Sequence, residues 1–397
     1  MLTPYLPYPL LSGGQIRTYN LLKNLSKKHD ITLFALIKEE SERTHIAELE
    51  KYCKKVVVFK RSEKPFTLKN IIVTGFSSFP FLVIRNLVAE VKDAVLKELQ
   101  SLPYDLIHAE TFYMMPNIPT TSTPVLLVEQ TIEYLGYQSY AQSSPLWFLK
   151  LLFAIDIYKI RWWEESFWRS CSRLVVMSED DKEYLEKTAK GIQKIDVVEN
   201  GVDVEYFQQV QKKLPPQPTI LFVGTFKWLP NVEAVRFLIQ EVWPLIKERI
   251  PAARLHIVGS SPTTDVYDMA KKDDQITVSG NVKDIRDAYS HAHVLVAPIF
   301  SGKGTRYKVL EAFATGTPVI ATGLAVEGLS ITQGLHALIG NTATELADHT
   351  VRVLRDKKLW NVLAKNGAEL VFKEYNWKNI SAKLDRIYSE LGKRRET

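Results

Sequence analysis

Short β-rich runs alternate with longer helical patterns along most of this chain, and that alternation restricts the fold more than any other feature. In the first half the runs are ITLFALI, KKVVVFK, DLIHAE, PVLLVEQ, RLVVMS and IDVVEN. After a break the rhythm resumes with TILFVGT, RLHIVGS, ITVSGNV, VLVAPI, TPVIAT and ALIG. Strands that are each followed by a turn or helix build parallel sheets covered by helices on both faces, so the expected class is α/β with two doubly wound sheets. The break itself is QQVQKKLPPQPT, where polar residues and prolines replace apolar periodicity. The expected domains are therefore 1–207, a linker over 208–218, a second domain over 219–375, and a helical stretch over 376–397 able to pack back on the first. A length of 397 residues suits two cores better than one.

The start of the chain breaks the pattern. The helix expected from about Gly14 to Lys28 is preceded only by Leu2 and Thr3 of strand-like character, whereas an opening strand is normally about 5 residues long. The expectation is a start upstream of Met1, with a few apolar residues completing that strand.

Composition narrows the function classes. A hydrophobic fraction of 46% with 24% charged residues is ordinary globular composition. Cys53 and Cys171 are too few for a disulfide framework or a cysteine zinc cluster, which fits a reducing compartment. MLTPYLPYPLLSGG has no basic leader and is broken by three prolines, and WFLKLLFAIDIYKIRWW carries four charges in a run too short to span a bilayer. A cytoplasmic protein is expected. The net charge of +6 is spread over the whole length without a Lys/Arg block interleaved with aromatics, so no nucleic-acid partner is implied.

Ligands of open α/β sheets sit beyond the carboxyl ends of the strands. Gly224, Gly259, Gly280, Gly302 and Gly304 all fall there. In SGKGTRYKVLEAFATGTPVIAT a glycine turn enters a helix whose start carries Lys303, Arg306 and Lys308. Free backbone amides and three cations suit a diphosphate, and Glu311, one turn further, suits a ribose hydroxyl. The bland alternative is a solvated cationic helix start with Glu311 paired to Lys308. Gly13-Gly14 precede another helix, where the backbone could approach a ligand or simply turn. His108, Glu110, Glu129, Gln130 and Glu133 gather polar groups at the carboxyl edge of the first sheet, a position that favours function, with surface solvation the alternative for any one of them. Other signatures fail: the Walker A spacing is absent, the third glycine of a dinucleotide fingerprint is Tyr307, no Asp-x-Asp occurs, and His291 with His293 has no third ligand nearby.

Together these residues resemble the retaining glycosyltransferases of family 4. The resemblance runs through PYLPYPLLSGGQIR, VEQTIEY, VVMSEDD, VENGVDVEYF, FVGTFKWLPN and SGKGTRYKVLEAFATGTPVIAT. It implies the GT-B fold of two facing Rossmann-like domains, the second binding a nucleotide-diphosphate sugar and the first a saccharide or lipid-linked acceptor. It also implies no metal, and no cofactor other than the nucleotide-sugar as co-substrate. Glu311 matches the second glutamate of the family's Glu, seven residues, Glu motif, while the first falls at Lys303. The family's diphosphate-gripping Arg and Lys fall at Thr225 and Pro230, so Lys303, Arg306 and Lys308 are expected to compensate. The implied donor set is Gly13, Gly14, Gly224, Lys303, Gly304, Thr305, Arg306, Lys308 and Glu311, with Arg306, Lys308 and Glu311 catalytic. The acceptor side is His108, Glu110, Gln130 and Glu133; Gln130 stands where many relatives have histidine, and no general base is assigned there. Front-face transfer with retention in cell-surface polysaccharide synthesis is implied. The stretch from Trp147 to Trp168 either rests on the inner face of a membrane or forms core. A catalytically silent scaffold and a nucleotide-sugar epimerase remain the alternatives.

Overall fold

The computed structural model describes residues 1–61, 67–143, 150–302 and 304–393. They form two compact units, Met1–Glu199 with Ile380–Thr397, and Asn200–Asn379.

The first unit holds seven strands: β1 (Leu2–Thr3), β2 (Thr32–Ile37), β3 (Lys55–Lys60), β4 (Ile107–Glu110), β5 (Val125–Val128), β6 (Arg173–Val176) and β7 (Ile195–Val197). Their order is β3-β2-β1-β4-β5-β6-β7 and every pairing is parallel. β2, β4 and β6 are buried at every position, as strands covered on both faces must be. β1 has two residues, paired as Leu2 with Phe34 and Ala109 and Thr3 with Ala35. From Ile380 the last helix (Trp377–Lys393) belongs to this unit. There Tyr388 reaches His108, Glu390 accepts from Arg173 at 2.7 Å, and Lys383 meets Glu199 at 2.7 Å.

The second unit holds β8 (Thr219–Val223), β9 (Arg254–Gly259), β10 (Ile276–Gly280), β11 (Val294–Ala297), β12 (Val319–Ala321) and β13 (Ala337–Ile339), in the parallel order β10-β9-β8-β11-β12-β13. The unit begins at Asn200 and not after residue 207, because Val202, Val204 and Phe207 are buried in its core. Residues 208–218, expected as a linker, belong to it as well. Lys212 fastens them: its ammonium donates to the carbonyls of Tyr289 (2.9 Å) and Ala292 (3.3 Å) and to Thr317 Oγ1 (2.5 Å).

Each sheet reverses its strand order once, at β1/β4 in the first unit and at β8/β11 in the second. The loops leaving such neighbouring strands diverge to opposite faces and leave a crevice at their carboxyl ends, so these two places fix where a ligand can enter.

Candidate active site

At the β8/β11 crevice the chain leaves β8 through Gly224 into the helix Leu229–Phe237, and leaves β11 through a glycine turn into the helix Tyr307–Ala314. Glycine is required where the β8 and β9 exits touch, since a Cβ on Gly259 would lie 1.6 Å from the Gly224 carbonyl oxygen. Gly302 and Gly304 have φ of 88° and 92°, a region other residues enter at a cost, and they let the turn fold over the helix start. Lys303, between them, lies outside the described residues.

Three candidate side chains gather at this helix start. Arg306 folds back over the turn, its Nη2 donating to the carbonyls of Gly302 (2.8 Å) and Ser301 (3.3 Å). Lys308 is buried, its Nζ donating to Asn231 Oδ1 at 2.7 Å and lying 4.6 Å from the Phe222 ring centroid. Burial pushes this ammonium down to about 7, with the Arg306 charge adding to the effect. Glu311 accepts from the Tyr289 hydroxyl at 2.9 Å, and burial raises its carboxyl above the ordinary range. Lys308 thus takes an amide oxygen, and Glu311 a phenol, as hydrogen-bond partner, in place of the ion pair that a solvated helix start would form. Thr305 Oγ1 accepts from Asn200 Nδ2 at 3.0 Å. Asn231 also donates to the Thr225 carbonyl at 2.8 Å, and a Cβ on Gly224 would lie 2.9 Å from its side chain. Gly224, Asn231 and Lys308 are therefore neighbours, although Asn231 and Tyr289 were not singled out in the sequence. Two cations, a helix start and a carboxylate beyond it suit a diphosphate joined to a ribose.

At the β1/β4 crevice of the first unit a second network forms. His108 Nε2 lies 3.1 Å from Glu110 Oε1, and Gln130 Nε2 donates to Glu110 Oε2 and to the Tyr5 hydroxyl, both at 2.7 Å. His108 Nδ1 sits 2.5 Å from the Tyr388 hydroxyl. Burial lowers the His108 value, keeping the imidazole neutral. Burial alone would raise Glu110, but the His108 contact, the Arg17 charge and the Gln130 bond bring it below the ordinary range. The consistent assignment is a neutral ring that donates from Nε2 to a carboxylate and accepts at Nδ1 from Tyr388. Gly14 abuts this network, since its Cβ would lie 2.6 Å from the Tyr5 oxygen and 2.9 Å from Gln130 Oε1. Gly13 opens the same helix, Gly13–Leu25, behind the Ser12 cap.

Glu133 stands apart from that chain. Its backbone N–H and that of Tyr134 donate to the carboxylate of Glu164, at 2.7 and 3.0 Å, so a glutamate from a distant helix caps the helix Glu133–Ser143. Burial pushes the Glu133 carboxyl up to about 7. Burial and mutual repulsion raise Glu129 and Glu164 as well, and Trp168 Nε1 donates to Glu129 at 3.0 Å. Glu129, Glu133 and Glu164 are thus three carboxyl groups whose values burial raises.

Residues 11–206 match the family described as Glycosyltransferase Family 4, and residues 217–356 match Glycosyl transferases group 1. The chain belongs to glycosyltransferase family 4. It is 21% identical to an "uncharacterized 44.6 kDa protein in cps region" of Klebsiella pneumoniae over 94% of this chain and 95% of that one. Among solved structures it resembles sucrose-phosphate synthase from Thermosynechococcus elongatus, with a TM-score of 0.70, 18% identity and 98% of each chain covered. It also resembles the HepE protein of Anabaena in complex with UDP and glucose, with a TM-score of 0.63, 13% identity and 98% of each chain covered. The fold of this glycosyltransferase is GT-B, and its two crevices are those at which the two sheets reverse order.

Proposed function

We propose that the protein transfers a sugar from a nucleotide-diphosphate donor to a saccharide or lipid-linked acceptor, with retention and without a metal ion, in cell-surface polysaccharide synthesis on the cytoplasmic side. The observation that carries the reading is the placement of Arg306 and Lys308 at a glycine-lined helix start with Glu311 one turn beyond. The two cations neutralise the diphosphate, whose charge grows as the bond to the anomeric carbon breaks, and Glu311 takes the ribose hydroxyls. The acceptor hydroxyl oxygen bonds to the anomeric carbon on the face that the diphosphate leaves, and its proton passes to a diphosphate oxygen. Positioning supplies the rest of the rate: His108 and Glu110, expected on the acceptor side, are buried and instead hold the partly exposed Gln130, which is the member of that network open to an acceptor. Support for the donor class comes from the UDP bound to the Anabaena relative, and for the setting from the Klebsiella relative's cps region.

A melting screen of nucleotide diphosphates and their sugars tests the reading, because a ligand stabilises the fold that binds it by RT ln(1 + [L]/Kd). One nucleotide series should raise the melting temperature selectively, and its sugar should then be turned over in the presence of an acceptor. If none stabilises the protein, the donor assignment fails; if one binds but is neither transferred nor hydrolysed, a silent scaffold replaces the enzyme.

A further inference from the structure

The first unit presents an apolar face built from two helices. The helix Lys150–Ser170 buries Ile160, Glu164 and Trp168 on one side. On the other it exposes Leu151 (72%), Leu152 (62%), Ile155, Tyr158 (70%) and Trp162. Positions 151, 155, 158 and 162 recur at helical spacing, so they form one stripe. The helix Leu68–Phe76 adds exposed Ile71, Ile72, Val73 and Phe76, the last 93% exposed. The two helices are fastened together. Lys159 Nζ donates to the carbonyls of Thr74 (2.7 Å) and Ser77 (2.8 Å), Trp163 Nε1 donates to the Ser78 carbonyl (2.9 Å), and Trp163 stacks on Phe79 at 4.5 Å. Tyr158 and Phe76 are the chain neighbours of Lys159 and Ser77, so each exposed row runs up to that junction. Trp147 lies outside the described residues.

Charge decides what such a surface fits. The exposed positions of the long helix include Lys150, Arg161 and Arg169 and no acidic residue. Its partly buried Glu165 is shared by Arg161 (2.8 Å) and Arg169 (3.4 Å). The exposed positions described in the short helix, Ile71, Ile72, Val73, Gly75 and Phe76, carry no charge. A second copy of the chain would bring like cations together over this face. An anionic lipid surface accepts all three parts: aliphatic side chains at the acyl boundary, tyrosine and tryptophan at headgroup level, and cations against phosphates. No helix among the described residues is long and apolar enough to cross a membrane. We propose that the face made by Phe76, Leu151, Leu152, Ile155, Tyr158 and Trp162 docks the protein on an anionic bilayer. Docking of this kind needs no sugar transfer and stands or falls apart from the donor site.

The full chain, purified without detergent, is floated with vesicles of phosphatidylglycerol and phosphatidylethanolamine and, separately, with vesicles of phosphatidylcholine alone. The wild type should bind the anionic vesicles at least tenfold more tightly, and less so as salt rises. Phe76→Glu and Leu152→Glu should each lose most of that binding while keeping the wild-type melting temperature and near-ultraviolet dichroism. Phe372→Glu, at an exposed aromatic of the second unit, should change nothing. Absence of binding to anionic vesicles, or equal binding by folded Phe76→Glu and Leu152→Glu, overturns lipid docking. A wild-type dimer that these two variants dissociate, with no vesicle binding, assigns the face to a second copy instead.

Discussion

Lys308→Met should make the protein more stable and a poorer binder of its donor at the same time. In the folded chain the ammonium is buried against the Phe222 ring and titrates near 7, where an ordinary lysine titrates near 10.4. Because the folded value is the lower one, the unfolded chain holds the extra proton between about pH 7 and pH 10. The side chain therefore destabilises the fold fully below about pH 7 and progressively less as pH rises. At pH 7 that difference amounts to roughly 4 kcal/mol. Methionine keeps the stem over the ring and removes the charge, but strands Asn231 Oδ1 at a cost of about 1 to 3 kcal/mol. The net gain is about 1 to 3 kcal/mol, or a rise of roughly 2 to 10 °C in Tm for a unit of this size. Donor binding loses a charge-assisted hydrogen bond, about 1.5 to 3 kcal/mol, which weakens Kd roughly 10- to 150-fold. Wild-type affinity for a nucleotide-sugar, whose diphosphate has no group titrating in this range, should fall as pH rises above about 7, and the variant should lose that dependence. Scanning calorimetry and donor titration from pH 6 to 9 on both proteins decide the matter. A variant that melts lower and binds the donor unchanged would refute the reasoning.

Three further outcomes are expected. Arg306→Ala should lower kcat by a larger factor than it raises KM, because leaving-group charge grows in the transition state; steady-state kinetics giving an unchanged kcat would assign Arg306 to ground-state binding. Tyr388→Phe should cost about 1 to 3 kcal/mol in urea unfolding, since His108 Nδ1 loses its donor in a buried site. Transfer should persist in EDTA, and loss of turnover restored by Mn²⁺ would overturn the metal-free mechanism.

Much of this arrangement is local in sequence and was therefore legible. The runs from ITLFALI to ALIG became β2 to β13 because each carries its own apolar pattern, and Glu311 can be picked out as a candidate because it sits one helical turn beyond a glycine turn. What escaped depends on partners far along the chain. Asn231 meets Lys308 across 77 positions, Tyr289 meets Glu311 across 22, and Tyr388 meets His108 across 280, and no local periodicity marks any of them. An asparagine at the helix start after β8 was the one visible hint. Residues 208–218 read as a linker because prolines and polar residues dominate there, yet the three bonds of Lys212 tie them to the second unit. Composition reports solvation and cannot report a single buried ammonium.

The central claim is that the helix start at Arg306 to Glu311 holds the nucleotide-sugar. Calorimetric titration of wild type and Glu311→Ala, with the donor selected by the melting screen, tests it most directly. The variant should bind roughly 10- to 150-fold more weakly, as expected for loss of one charged hydrogen bond worth about 1.5 to 3 kcal/mol, while its melting temperature without ligand stays near or above that of the wild type. An unchanged Kd in a folded variant would contradict the assignment of this site to the donor.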